Sequence, residues 1–121
     1  MTIDELKARR KQFALRVIKL VAALPKSLEG RAIANQLVRC GTSVVANYRS
    51  ACRARSRAEF IAKIGVVLEE ADETQLWLEL IIDAKLIPAK RVQPLLDESG
   101  ELVAIFVASR KSASLNLKSA V

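Results

Sequence analysis

Four arginines fall within nine residues in the stretch NYRSACRARSR, at Arg49, Arg53, Arg55 and Arg57, and the next carboxylate along the chain is Glu59. Guanidinium groups at that density offer permanently charged, planar forks of N–H donors, the chemistry that grips phosphate oxygens. Arg9, Arg16 and Lys19 recur upstream at helical spacing, and Arg39 precedes the cluster. Together these eight residues make a candidate face for RNA or DNA. Such contacts position a nucleic acid without reading its sequence. About five of them give a slope of log K against log salt of about −3.5 to −4.5. Tyr48 is the single tyrosine, so platforms for stacking unpaired bases are scarce. The same cations have a plainer use, in which they pair with the carboxylates of an acidic third helix of the same or a neighbouring chain, or in which Arg55 or Arg57 supports a turn.

Other chemistry is thinly supplied. The 121 residues include no His, which removes Ser-His and Cys-His nucleophile activation, most catalytic zinc sites and the Glu-x-x-His pairs of di-metal bundles. Glu69 and Glu73 lie one turn apart and are the best candidates for a divalent metal or an acid–base pair. No Gly-rich phosphate loop or paired nucleophile accompanies them, so a solvated acidic face is the favoured reading. The expectation is a non-enzymatic protein with no catalytic residue, no metal and no cofactor. Cys40 and Cys52 read as reduced, small core residues of a cytoplasmic protein. FALRVIKLVAAL near the N-terminus is interrupted by Arg16 and Lys19 and makes a poor signal peptide. The longest clean apolar run, LVAIFVA, falls far short of the roughly 18 residues of a membrane span.

The elements that must carry the arginines are helices. Hydrophobic residues make up 51% of the chain and aromatics 4%, so the core-forming residues are chiefly Ala, Val, Leu and Ile; four Gly and three Pro are too few for a turn-rich β fold. Leu6, Phe13, Val17, Leu20 and Leu24 mark the inner stripe of a first helix over about Ile3 to Leu24, ended by Pro25. A second helix over about Arg31 to Ala54 turns Ile33, Leu37, Cys40, Val44 and Tyr48 inward. Its small segment CGTS (40–43) predicts close approach of a neighbouring helix, because a glycine there costs about 1 kcal/mol against alanine. Ser56-Arg57-Ala58-Glu59 reads as a capping box that starts a third helix running to about Lys85, so the arginine cluster is a helix–turn–helix corner. A fourth helix starts at Ala89 or Pro94 and ends near Lys111. Four helices of about 20 residues joined by short turns predict an all-α, antiparallel up-down-up-down four-helix bundle over residues 1–112, with 113–121 a frayed or disordered polar tail.

Charge is split along the chain. Residues 1–63 carry 14 Lys/Arg against 4 Asp/Glu, a net of +10, and residues 64–121 carry 6 against 9, a net of −3, which together make the +7 of the whole. The third helix is the acidic one. It is also apolar over too wide an arc, as is the fourth. Ile61, Val66, Leu76, Trp77, Leu80, Ile105 and Val107 fall outside a stripe of a little over 100° and predict a second buried face, hence a homo-oligomer.

The order and spacing of several short pieces resemble the 23S rRNA intervening-sequence proteins, also called the S23 family. The pieces are the Leu-Pro after the first helix, QL-R at 36–39, TSVVAN at 42–47, RS--EFI at 55–61, and the Glu and WLEL of the third helix. The chain departs from the family's Glu-Gly after Ala-Asn, with Ser50, Ala51 and Cys52 in that region. The resemblance implies an up-down bundle that assembles as a homopentamer around a channel. It also implies kinship with the accessory variability proteins of diversity-generating retroelements, basic pentamers that bind nucleic acid and partner with a reverse transcriptase. Most members have no established activity, and an origin inside rRNA-gene insertions does not make rRNA the target. Two functions follow for this chain: electrostatic binding of RNA or DNA, and, as the alternative, a structural or adaptor ring that holds a protein partner.

Overall fold

A computed structural model describes residues 1–120, with side chains described as far as Asn116. Four helices make up the described residues: α1 (Ile3–Ala22), α2 (Leu28–Cys52), α3 (Arg57–Asp83) and α4 (Ala89–Ala120). Each consecutive pair packs side by side, most extensively α2 with α3 and α3 with α4, and α1 closes the square lightly against α4. This is the up-down-up-down bundle that the short connections require.

Local chemistry sets the helix starts. The Thr2 hydroxyl accepts from the Glu5 N–H at 3.0 Å while the Glu5 carboxylate accepts from the Thr2 N–H at 3.2 Å, a full capping box at the start of α1. Ser27 caps α2 by accepting from the Gly30 N–H at 3.1 Å, so α2 begins earlier than the apolar pattern indicates. At α3 the Ser56 hydroxyl accepts from the Glu59 N–H at 3.1 Å, as expected, but the Glu59 carboxylate reaches one residue further back, to the Arg55 N–H at 3.0 Å. It therefore braces the turn as well as the helix. α4 starts at Ala89 and carries Pro94 inside it; it continues past Lys111 to Ala120, through most of the segment expected as a tail. Val121 lies outside the described residues.

The expected stripes form the core. Phe13 and Val17 of α1, Leu37, Cys40 and Val44 of α2, Ile64, Val67 and Leu78 of α3, and Val92, Leu102 and Phe106 of α4 are all buried. Gly41 is the close approach predicted for α2, since a Cβ placed on it would lie 2.8 Å from a Val17 methyl. Cys52 corrects the expectation of two core cysteines. Cys40 is buried, whereas Cys52 is exposed at the last turn of α2, just past the inner stripe, and both are free thiols.

One core position holds a charge. Arg10 is 1% exposed, on the inner stripe of α1 between Leu6 and Phe13. Its guanidinium lies over the Tyr48 ring, 3.5 Å from the centroid, and Tyr48 in turn packs against Phe106 with ring centroids 5.3 Å apart. No helix among the described residues is long and apolar enough to cross a membrane.

Candidate nucleic-acid interface

The corner between α2 and α3 is built by backbone hydrogen bonds that leave the arginine side chains free. Arg53 is the C-cap of α2, and the Ala54 N–H donates to the Ala51 carbonyl at 3.0 Å. The Arg55 N–H is held by Glu59, and Ser56 starts the next helix. The side chains of Arg49, Arg53 and Arg55 emerge along an open groove of about 750 Å³, walled by Ala14 of α1, Thr42, Val45 and Ala46 of α2, and Lys63 of α3. Among the described residues, the only carboxylate on that groove is Glu59. It is already engaged by the Arg55 N–H and lies 3.4 Å from the Lys63 ammonium, and these contacts hold its pKa below the ordinary value, the backbone donor first among them. Lys63 also donates to the Ser50 hydroxyl at 2.6 Å.

The groove does not end at the corner. Arg55 also lines a hollow of about 550 Å³ with Arg57 and Lys7. Lys7 and Arg49 in turn share a smaller cavity of about 240 Å³ with Arg10 and Lys11. The shared residues join the three hollows into one cationic band over the first half of α1, the end of α2 and the start of α3. Among the described residues, no carboxylate makes an ion pair with Arg49, Arg53, Arg55 or Arg57. Lys7, Lys11 and Lys63 belong to this band and are not among the eight residues expected from sequence; the signal for Lys7 and Lys11 is their i, i+4 spacing on α1.

Four of the eight expected residues lie apart from the band. Arg9 points across to α4, where its Nε donates to Glu98 at 2.6 Å and its Nη2 lies 2.5 Å from both Glu98 and Glu101. Arg39 pairs with the acidic helix, 2.5 Å from Glu73 and 3.2 Å from Glu70. The hydrogen bond from Arg9 is the largest cause holding the Glu98 carboxyl below its usual range, and the bond from Arg39 does the same for Glu73. Arg16 and Lys19 are exposed but line a separate groove of about 350 Å³ with Arg91 of α4. Tyr48 offers no stacking platform, being buried beneath Arg10. Glu69 and Glu73 form part of no metal-holding cluster among the described residues.

The apolar residues assigned to a second face also divide. Val66, Leu76 and Leu80 of α3 and Val107 of α4 are exposed. At 3.6 residues per turn the three on α3 share an arc of about 80°. Ile61 is half-buried, while Trp77 and Ile105 pack against the core of their own chain, with the Trp77 indole N–H donating to Glu73 at 3.4 Å. On α1, Leu15 and Ile18 are exposed as well.

Comparison with known proteins bears on this architecture. No curated protein matches the chain. Among solved structures, a protein of unknown function from the S23 ribosomal protein family of Bacteroides thetaiotaomicron is similar: it is 34% identical, superposes with a TM-score of 0.81, and the match covers 87% of this chain and 97% of that one. The family model described as 23S rRNA-intervening sequence protein matches residues 5–108, so the cationic residues that line the grooves around the α2–α3 corner all lie on the part shared with that family. The chain belongs to the 23S rRNA-intervening sequence protein family.

Proposed function

We propose that this protein is a non-catalytic, homo-oligomeric helical bundle that binds RNA or DNA electrostatically through the band centred on Arg49, Arg53, Arg55 and Arg57. One observation carries the reading: three adjoining hollows share cationic residues and hold a single carboxylate, which is already engaged. Unpaired, exposed guanidinium groups release counterions when they meet phosphates, and this supplies affinity without sequence preference. Arg9 and Arg39, whose charges are met within the chain, contribute little. Assembly is supported by the exposed Val66, Leu76 and Leu80, and a pentamer is the stoichiometry that family resemblance implies; repetition of the band around a ring multiplies weak contacts.

Charge substitution separates the two classes of arginine. Binding of a fluorescent structured RNA and a DNA duplex is measured by anisotropy for Arg49→Glu, Arg53→Glu and Arg39→Gln. The first two weaken binding about tenfold or more, while Arg39→Gln stays within about twofold. Equal losses for all three variants contradict the assignment.

The adaptor reading rests on the same exposed apolar residues, with a protein partner in place of nucleic acid. It gains if the purified protein, free of nucleic acid, binds neither probe at low salt.

A further inference from the structure

We propose that the cavity between α1 and α2 is a binding site for a phosphate-type oxyanion, held by the Arg10 guanidinium with Lys7, Lys11 and Arg49. Arg10 is 1% exposed, yet its Nη1 and Nη2 have no hydrogen-bond partner among the described residues. Its Nε is occupied, donating to the Leu6 carbonyl at 3.1 Å. One face of the guanidinium is covered by the Tyr48 ring at 3.5 Å. What remains is the edge that carries both Nη atoms, the fork that receives two oxygens of one phosphate or carboxylate.

The surroundings leave that edge uncompensated. Arginine does not shed its proton in proteins, so burial cannot be relieved by neutralisation as it is for lysine. Burial is the largest influence on Arg10 and opposes its charge; Tyr48 and Cys52 favour the charge but do not make up for burial, and the neighbouring Arg49 opposes it further. Lys7, Lys11 and Arg49 line the same cavity, and no carboxylate does. Four cations around one hollow with no anion repel one another, and the repulsion turns to attraction when a multiply charged anion enters. The cavity, about 240 Å³, has ample room for a phosphate group, since one water in the liquid takes roughly 30 Å³. Both Nη atoms are nearly closed to solvent, so the anion reaches them when the exposed lysine ends swing aside. Because a dianion suits four cations better than a singly charged carboxylate does, phosphate is the favoured class. The cavity is one of the three hollows of the proposed nucleic-acid band, with Lys7, Lys11 and Arg49 in common, but the buried Arg10 fork does not rest on that reading: a free phosphate dianion and a singly charged nucleic-acid phosphodiester can each offer it two oxygens.

The test measures thermal unfolding of the full chain with inorganic phosphate or pyrophosphate against chloride, at a fixed ionic strength of about 0.15 M. A ligand that binds only the folded state raises Tm in a concentration-dependent way. Phosphate or pyrophosphate is expected to raise Tm by several degrees beyond chloride. The Lys7→Ala/Lys11→Ala variant, altered only at exposed positions, is expected to need about tenfold more phosphate for the same shift. Arg10→Met is expected to lose the shift while keeping its helical circular dichroism; should it fail to fold, the lysine variant decides. A parallel titration with a short oligonucleotide separates the sources. A shift with the oligonucleotide alone, lost in the lysine variant, assigns the site to a phosphodiester; a shift with free phosphate assigns it to a small anion, whether or not nucleic acid binds elsewhere. No shift with any of the three, or shifts unchanged in the variants, overturns the proposal.

Discussion

Arg10 shows what a residue-level reading of this sequence catches and what it misses. The inner stripe of α1 runs Leu6, Phe13, Val17, Leu20 and Leu24, and a helical repeat leaves a vacancy at position 10 that an apolar residue should fill. That a guanidinium fills it by lying over the Tyr48 ring is not in the spacing, because the partner ring sits 38 positions away in sequence and only packing brings it near. The same limit applies to the ion pairs. Charge spacing suggested that basic residues would meet acidic α3, and Arg39 does so with Glu70 and Glu73, but Arg9 reaches α4 instead. Those pairs predict a pH dependence. Glu98 and Glu73 have folded-state pKa values below the unfolded value of about 4.3, so their contribution is present above that pH and is lost as the pH falls through the folded-state values. Glu98→Gln should therefore lower stability near neutral pH and flatten the acid limb of a urea-unfolding series from pH 7 to about pH 3. An acid limb as steep as that of the parent protein would show that the Arg9–Glu98 pair does not contribute.

At the scale of elements, the helices were legible because their periodicity and punctuation agree. Pro25 and Ser56 bound α1 and α3 as expected, and the CGTS segment does mark the α1–α2 contact. Gly41→Ala should destabilise by about 1–3 kcal/mol in chemical denaturation, because the new methyl meets Val17 at 2.8 Å in a packed interface. The sequence places the end of α3 near Lys85, where the helix stops after Asp83, but not the way it closes. Its C-terminus closes as a Schellman motif, with the Leu86 N–H donating to the Ile81 carbonyl and the Lys85 N–H to the Ile82 carbonyl, each at 3.0 Å. The residue at the left-handed position is Lys85, with φ 56°, where glycine is the usual occupant. The sequence carries no glycine there to announce the motif. Lys85→Gly should stabilise the protein by about 1 kcal/mol, read as a higher urea midpoint with an unchanged slope. A lower midpoint would mean that glycine's added freedom in the unfolded chain outweighs the relief of Lys85.

For the whole molecule, the fold followed from sequence and the functional surface only partly did. The uneven charge placed the basic excess in the first half, and the bundle folds part of that half into one band at the α2–α3 corner. Which cations remain free depends on which carboxylates the packing brings within reach, and one-dimensional spacing does not contain that. The exposed apolar patch has the same character: periodicity flagged seven residues, and packing returns Trp77 and Ile105 to the chain's own core while leaving Val66, Leu76, Leu80 and Val107 outside. If that patch joins copies of the chain, Leu76→Glu with Leu80→Glu should keep helicity and reduce the mass in analytical ultracentrifugation to that of one subunit. A parent protein that already sediments as a monomer would remove the assembly from the account.

The central claim is electrostatic contact with nucleic-acid phosphates, and the salt dependence of binding tests it most directly. Anisotropy of a labelled RNA and a labelled DNA duplex, titrated with the parent protein at several salt concentrations between about 50 and 200 mM, yields the slope of log K against log salt. About five phosphate contacts predict a slope of about −3.5 to −4.5 on both probes, with little preference between sequences. A slope near zero, or no binding at about 50 mM salt, contradicts the account.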